Sequence, residues 1–194
     1  MTKPAMLVFG DSICAGSDMP DRTPADAWPH VWERLPGATW RVVNHSRGGR
    51  PTDSVAEFAT ALARAETDGP YAGLMLALGA NDARDLTPGM VDRAVANLGM
   101  MVDLAQQAGI APITIIGPYN LNREALGATY PIRFERDANL RALEAAYVLF
   151  SVTRGLSFIA MYGVIPEEHL TTDGVHPDAA GNVLIAEHVA RHLR

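Results

Sequence analysis

Cysteine is almost missing from this 194-residue sequence, in which Cys14 is the only one. A single thiol excludes an internal disulfide and a cysteine-rich zinc site. Long apolar runs are missing too, since the run that opens the sequence, residues 5–9, is too short for a secretory signal or a membrane span. We therefore expect a cytoplasmic protein with no membrane partner, unless a leader peptide was removed.

Positive charge is also in short supply. The sequence has 16 basic and 22 acidic residues, a formal charge of -6, and no long run of like charge. This balance argues against a surface that binds polyanions, so we expect no nucleic acid partner. With 48% hydrophobic residues and no repeat or linker, the chain is long enough for one core and short for two. The sequence therefore predicts a single domain over residues 1–194.

Short apolar runs alternate with stretches of helical periodicity, which is typical of a parallel sheet joined by crossover helices. The predicted strands are residues 5–9, 40–44, 74–78, 113–116 and 156–160. Because most are apolar throughout, we expect helices on both faces, in a three-layer α/β/α sandwich. The predicted helices are residues 26–35, 52–66, 91–105, 131–150 and 178–193. Thr87 is a candidate cap for the third, and the longest predicted loop, residues 117–130, has a length that is often functional.

Groups able to perform acyl transfer follow the first and last predicted strands. Ser12 ends a Gly10-Asp11-Ser12 tripeptide after the first strand, and Asp173 and His176 follow the fifth. A serine hydroxyl attacks a carbonyl poorly unless a histidine takes its proton, and that histidine needs a third group to orient it. The carboxyl ends of parallel strands share one edge, so we expect the three side chains to meet there. No further ligand pattern lies beside Asp173 and His176, and we predict no metal site.

Four blocks of sequence together are more specific than any one of them. They are Gly10-Asp11-Ser12, residues 44–49, Gly79-Ala80-Asn81-Asp82 and Asp173-Gly174-Val175-His176. In this order they resemble the four blocks of the GDSL lipase/esterase, or SGNH hydrolase, family. The resemblance implies that Ser12 is the nucleophile, His176 the general base and then acid, and Asp173 the residue that orients His176.

The same resemblance implies an oxyanion hole made by the Ser12 backbone N–H, the Gly49 N–H and the Asn81 side-chain amide. Glycine lets an oxygen approach the backbone closely, and a neutral amide donates without losing a proton. Gly48 is the alternative donor if the loop is shifted by one residue. No cofactor is implied.

The sequence around Ser12 lacks the Gly-x-Ser-x-Gly pattern, because position 14 is cysteine. This excludes the nucleophile elbow of the α/β-hydrolases and favours an open, flavodoxin-like parallel five-stranded sheet. Cys14 is itself an alternative nucleophile, although a lone cysteine is more often a small buried apolar residue.

Together the blocks indicate a serine hydrolase that cleaves carboxylic esters of small molecules, with a short acyl group favoured. Alternatives are an acyltransferase, an acetylated-carbohydrate esterase and a non-catalytic flavodoxin-like binding module. Candidate substrate-binding residues, with the loop over residues 117–130, are Ile13, Met19, Arg50, Tyr119, Leu121 and Leu126. Arg84 and Asp85 are interpreted only as a solvated or loop-bracing pair. The sequence does not indicate an oligomeric state.

Overall fold

The structure is a computed structural model that describes residues 2–16, 23–127 and 130–193. Five strands form one sheet in the order β2-β1-β3-β4-β5, and every neighbouring pair is parallel. The strands are β1 (Ala5–Gly10), β2 (Arg41–Asn44), β3 (Tyr71–Ala77), β4 (Ile113–Ile116) and β5 (Ser157–Ile159). This is the flavodoxin-like strand order, which reverses direction at β1 and β3 and opens a crevice beyond their carboxyl ends.

Helices connect the strands and cover the sheet. They are α1 (Ser12–Ala15), α2 (Trp28–Arg34), α3 (Val55–Ala63), α4 (Ala65–Asp68), α5 (Met90–Gln107), α6 (Arg123–Leu126), α7 (Arg133–Arg154) and α8 (Ala179–His192). Three single 3-10 turns cover Pro24–Asp26, Asp82–Arg84 and Glu167–His169. Of the helices described, none is both long and apolar enough to cross a lipid bilayer.

The core has two halves, one on each face of the sheet. Leu7 and Phe9 of β1 point into the half that is closed by α3, α5 and α7. Met6 and Val8, which alternate with them, point into the half closed by α2 and α8. Because successive side chains of a strand face opposite sides, an all-apolar strand such as β1 must be buried on both faces. The predicted three-layer α/β/α sandwich is confirmed.

The predicted elements are present, with different ends. The apolar stripe of α5 is confirmed, but the helix begins after Gly89, whose φ of 80° places it at the cap, rather than at Thr87. The predicted helix over residues 52–66 is two helices, α3 and α4, which are separated at Arg64. The helix predicted over residues 131–150 continues to Arg154 as α7.

Candidate active site

Ser12 is the first residue of α1 and directly follows β1 at the carboxyl edge of the sheet. The Asp11 side chain caps the helix by accepting the Ile13 N–H at 3.0 Å. A Cβ atom on Gly10 would lie 2.5 Å from the Cys14 Sγ, so the turn from strand to helix requires glycine at this close contact. The Ser12 side chain is held on a short, tightly packed turn and lines a surface cavity.

His176 joins Ser12 to Asp173 in a hydrogen-bonded chain. The Nε2 atom of His176 lies 2.8 Å from Ser12 Oγ, across 164 positions of sequence. The Nδ1 atom of the same ring lies 2.5 Å from Asp173 Oδ2. The other carboxylate oxygen of Asp173 accepts from Thr171 Oγ1 and from the backbone N–H groups of Val175 and His176, at 2.8–2.9 Å. A carboxylate held in this way orients an imidazole for proton transfer.

Electrostatics favour an ionised Asp173. Partial burial of the carboxyl opposes ionisation, but hydrogen bonds from His176, Val175 and Thr171 outweigh it and hold the pKa of Asp173 well below its usual range. An ionised Asp173 keeps the proton of a neutral His176 on Nδ1, which leaves Nε2 as an acceptor facing Ser12 Oγ. Asp11 is the opposite case, since complete burial raises its pKa from 3.8 to about 6.

The turn that carries Asp173 and His176 is anchored to the loop after β4. The Asn122 N–H donates to the Gly174 carbonyl at 2.8 Å, and the Thr171 N–H donates to the His176 carbonyl at 2.8 Å. Gly174 has a φ of 68°, and a Cβ atom there would lie 2.5 Å from the Asn122 carbonyl oxygen. Any residue other than glycine would therefore displace the turn.

Both proposed oxyanion donors outside α1 lie at the same cavity as Ser12 and His176. Gly49, rather than its described neighbour Gly48, lines this cavity, and its φ is 69°. Asn81 also lines it, and its Nδ2 donates to the Arg50 carbonyl at 3.2 Å. Their two loops are tied together because Asp82 accepts from the Thr52 N–H and from Thr52 Oγ1, the latter at 2.5 Å.

The structure corrects three of the predicted substrate-binding residues. Arg50 is buried, donates to the Gly10 carbonyl at 2.9 Å and the His45 carbonyl at 2.6 Å, and stacks over the Phe9 ring at 3.8 Å. Tyr119 and Leu121 are also buried, at 3% and 4% exposure, inside the two halves of the core. Of the predicted set, Ile13 and Leu126 line the cavity of Ser12, and Met19 lies outside the described residues.

The alternative nucleophile, Cys14, is placed unfavourably. It is fully buried in the same half of the core as Trp28 and Tyr119. Burial, reinforced by the Asp11 charge, raises the pKa of the Cys14 thiol far above its ordinary value. A thiol that stays protonated is a poor nucleophile.

Sequence reasoning missed two residues of the cavity wall as members of the site, Arg84 and Arg136. Leu126 and Tyr130, which belong to the loop predicted to shape the substrate site, and Val175 of the fourth block also line the cavity. A signal for Arg136 was present, because it lies four and seven residues before Leu140 and Leu143, on the buried stripe of α7. Arg84 and Asp85 are not a pair, since Asp85 instead binds Arg93 at 2.6 Å.

Comparison with known proteins agrees with this fold. The sequence matches the GDSL-like lipase/acylhydrolase family over residues 8–184, and the chain belongs to that family. It is therefore an enzyme of the esterase/lipase class, and ester hydrolysis is its general chemistry. The resemblance that the four blocks indicated is confirmed.

Solved structures with the same fold include a carbohydrate acetylesterase family member from Sinorhizobium meliloti, with 20% identity, a TM-score of 0.79, and coverage of 97% of this chain and 96% of that one. The native aryl esterase of M. smegmatis has 20% identity and a TM-score of 0.77, over 98% of this chain and 100% of that one. TesA has 23% identity and a TM-score of 0.74, over 98% of both chains. No curated protein matches the sequence.

Proposed function

We propose that this protein hydrolyses carboxylic esters of small molecules through an acyl-enzyme formed on Ser12, in a single catalytic domain. The observation that carries this proposal is the chain of contacts from Ser12 Oγ to His176 Nε2, at 2.8 Å, and from His176 Nδ1 to Asp173, at 2.5 Å. This arrangement provides a nucleophile, a general base within hydrogen-bond reach, and a group that orients the base.

In the acylation half, Ser12 Oγ bonds to the ester carbonyl carbon while His176 Nε2 takes the hydroxyl proton. The carbonyl electron pair moves onto oxygen, giving a tetrahedral oxyanion. When this intermediate collapses, the bond to the alcohol breaks and Nε2–H gives its proton to the departing oxygen. In the second half, water attacks the Ser12 ester by the same steps and releases the acid. Asp173 stays ionised and stabilises the imidazolium in both halves.

The oxyanion is proposed to bind the N–H groups of Ser12 and Gly49 and the Asn81 amide. The placement of Gly49 and Asn81 at the cavity beside Ser12 supports this assignment. One N–H of the Asn81 amide donates to the Arg50 carbonyl, which fixes the amide group, and the amide carries a second N–H. Each such donor typically accelerates acyl transfer by about 10²- to 10³-fold.

A preference for short acyl groups is proposed from the size of the cavity. Its volume of about 300 Å³ is at the lower end of the range for small-molecule sites. Ile13 and Leu126 supply apolar wall at this cavity. A long acyl chain would have to extend out of it into water.

The test is hydrolysis of 4-nitrophenyl acetate by Ser12→Ala and His176→Ala, with folding checked by circular dichroism. We expect kcat to fall by about 10⁴- to 10⁶-fold in each. Cys14→Ala is the matched control and should keep its activity. Near-normal turnover in Ser12→Ala would contradict the assignment.

Two further experiments test the alternatives of a non-catalytic binding module and an acyltransferase. A fluorophosphonate should label the wild-type protein at Ser12 and fail to label Ser12→Ala. A folded wild-type protein that is not labelled would favour the non-catalytic binding module. Product analysis with added alcohol measures the partition of the acyl-enzyme between alcohol and water, and a dominant ester product would instead favour an acyltransferase.

A further inference from the structure

The wall of the active-site cavity contains an unexpected buried cation. Arg136 projects from α7 and lines the same cavity of about 300 Å³ as Ser12 and His176, and the residue is 5% exposed. Arginine is almost never buried to this extent unless an anion accompanies it.

The polar contacts of Arg136 do not neutralise its charge. One Nη atom donates to the Ala80 carbonyl at 3.1 Å and the other to the Tyr130 hydroxyl at 3.4 Å. The Nε atom is buried and has no hydrogen-bond partner within the described part of the protein. Among the described residues, no carboxylate forms an ion pair with this guanidinium. Asp11 acts on it only at a distance.

A second cation lies on the same wall. Arg84 is exposed, lines the cavity, and forms no ion pair with a described residue. Burial lowers the pKa of Arg136, and the positive charge of Arg84 acts in the same direction. Two neighbouring guanidinium groups repel each other, and an anion bound between them would relieve that repulsion.

We infer that the substrate is an ester that also carries a carboxylate, which binds to Arg136 and Arg84 while the ester carbonyl lies at Ser12. The inference rests on the proposed ester hydrolysis and adds a substrate class to it. A guanidinium matches the planar geometry of a carboxylate, and the partial burial of this site strengthens the attraction. Because the cavity is small, the carboxylate and the ester must be a few bonds apart in one molecule.

Two matched ester pairs test this inference and distinguish the two places where the carboxylate could be. In the first pair the charge is on the alcohol side: 4-acetoxybenzoate and its neutral methyl ester. In the second pair it is on the acyl side: the mono-4-nitrophenyl ester of adipic acid and its methyl-capped form. We expect the wild-type enzyme to have a higher kcat/KM for the anionic member of at least one pair by about tenfold or more.

The variants are compared by the ratio of kcat/KM for the anionic ester to that for the neutral ester. Arg136→Gln should lower this ratio by about 10- to 100-fold, the effect of losing a hydrogen bond between charged groups. Arg84→Gln should lower it by less, because water screens an exposed charge. Arg141→Gln removes an exposed charge from the same helix and should leave the ratio unchanged.

A purely structural role for Arg136 predicts a different result. Arg136→Gln would then lower the activity on both members of a pair equally and leave the ratio unchanged, which would overturn the inference. If Arg136→Gln does not fold, two other measurements decide the matter: the ratio for Arg84→Gln, and competitive inhibition of 4-nitrophenyl acetate hydrolysis by benzoate. The inference predicts a lower ratio and salt-sensitive inhibition. The absence of both would overturn it. Failure of the proposed function itself looks different, as the wild-type protein would hydrolyse no ester of either pair.

Discussion

Replacing Asp173 by asparagine tests the role of the Asp173 carboxylate in the proposed mechanism. The Asp173 carboxylate accepts the Nδ1 proton of His176 at 2.5 Å. An asparagine amide at this position can turn its NH₂ group toward Nδ1, which then must accept rather than donate. The neutral ring would carry its proton on Nε2, facing Ser12 Oγ, and could not take the serine proton.

The expected loss follows from two contributions. A carboxylate about 4 Å from an imidazolium stabilises it by about 4 kcal/mol at an effective dielectric constant near 20. The Asp173 side chain is 45% exposed, and we halve this figure to about 2 kcal/mol for screening by water. Restoring the correct tautomer costs about another 1.5–3 kcal/mol, the strength of one hydrogen bond to a charged group. The sum, about 3.5–5 kcal/mol, corresponds to a loss on the order of a thousandfold in kcat.

The assay is steady-state hydrolysis of 4-nitrophenyl acetate at pH 7.5, with a thermal melt to confirm folding. Asp178→Asn is the matched control, because Asp178 caps α8 by accepting the Gly181 N–H at 2.7 Å and asparagine caps equally well. The control should keep its turnover within about threefold, as its cap survives. A folded Asp173→Asn enzyme that loses less than tenfold would refute the role assigned to Asp173.

Three further predictions concern the support of the site. Gly174→Ala forces alanine into a φ of 68° and places a Cβ atom against the Asn122 carbonyl. Because the backbone strain is about 1–2 kcal/mol and the clash adds to it, we expect a melting temperature several degrees lower and a reduced kcat. An unchanged melting temperature would contradict the placement of this turn. Arg50→Met removes the donor to the buried Gly10 carbonyl and to the partly buried His45 carbonyl. It should lower the free energy of unfolding in urea by about 2–4 kcal/mol, whereas a raised KM with normal stability would return Arg50 to substrate binding. For Asp11, whose pKa is raised from 3.8 to about 6 by burial, the folded state holds the proton more tightly, so wild-type stability should fall as the pH rises from about 4 to 6. Asp11→Asn keeps the cap without titrating, and its stability relative to wild type should increase by about 2 kcal/mol over that range. A constant difference between the two proteins would show that Asp11 does not titrate there.

Local patterns in the sequence determined most of the architecture. An apolar run such as β1 must be covered on both faces, and the stripe of α5 repeats at the helical period, so each pattern depends only on neighbouring residues. The predicted ends of the helices were less accurate. The helix α5 begins after Gly89, whose backbone conformation is not specified by residue type alone. The order of the four blocks placed Ser12, Gly49, Asn81 and His176 at one edge, because parallel strands share their carboxyl ends.

Tertiary contacts decided which partners the buried arginine side chains have. Arg50, predicted at the substrate, instead turns inward to the Gly10 carbonyl, which only becomes available once β1 and the loop after β2 are packed together. Arg136, which was not among the predicted site residues, reaches the cavity because α7 packs across the loop that carries Ala80. Residue type sets which hydrogen bonds and charges a side chain offers, while its partners come from segments far away in sequence. The sequence by itself therefore determined the fold and the groups proposed to react, and the packing of distant segments determined which cations line the cavity.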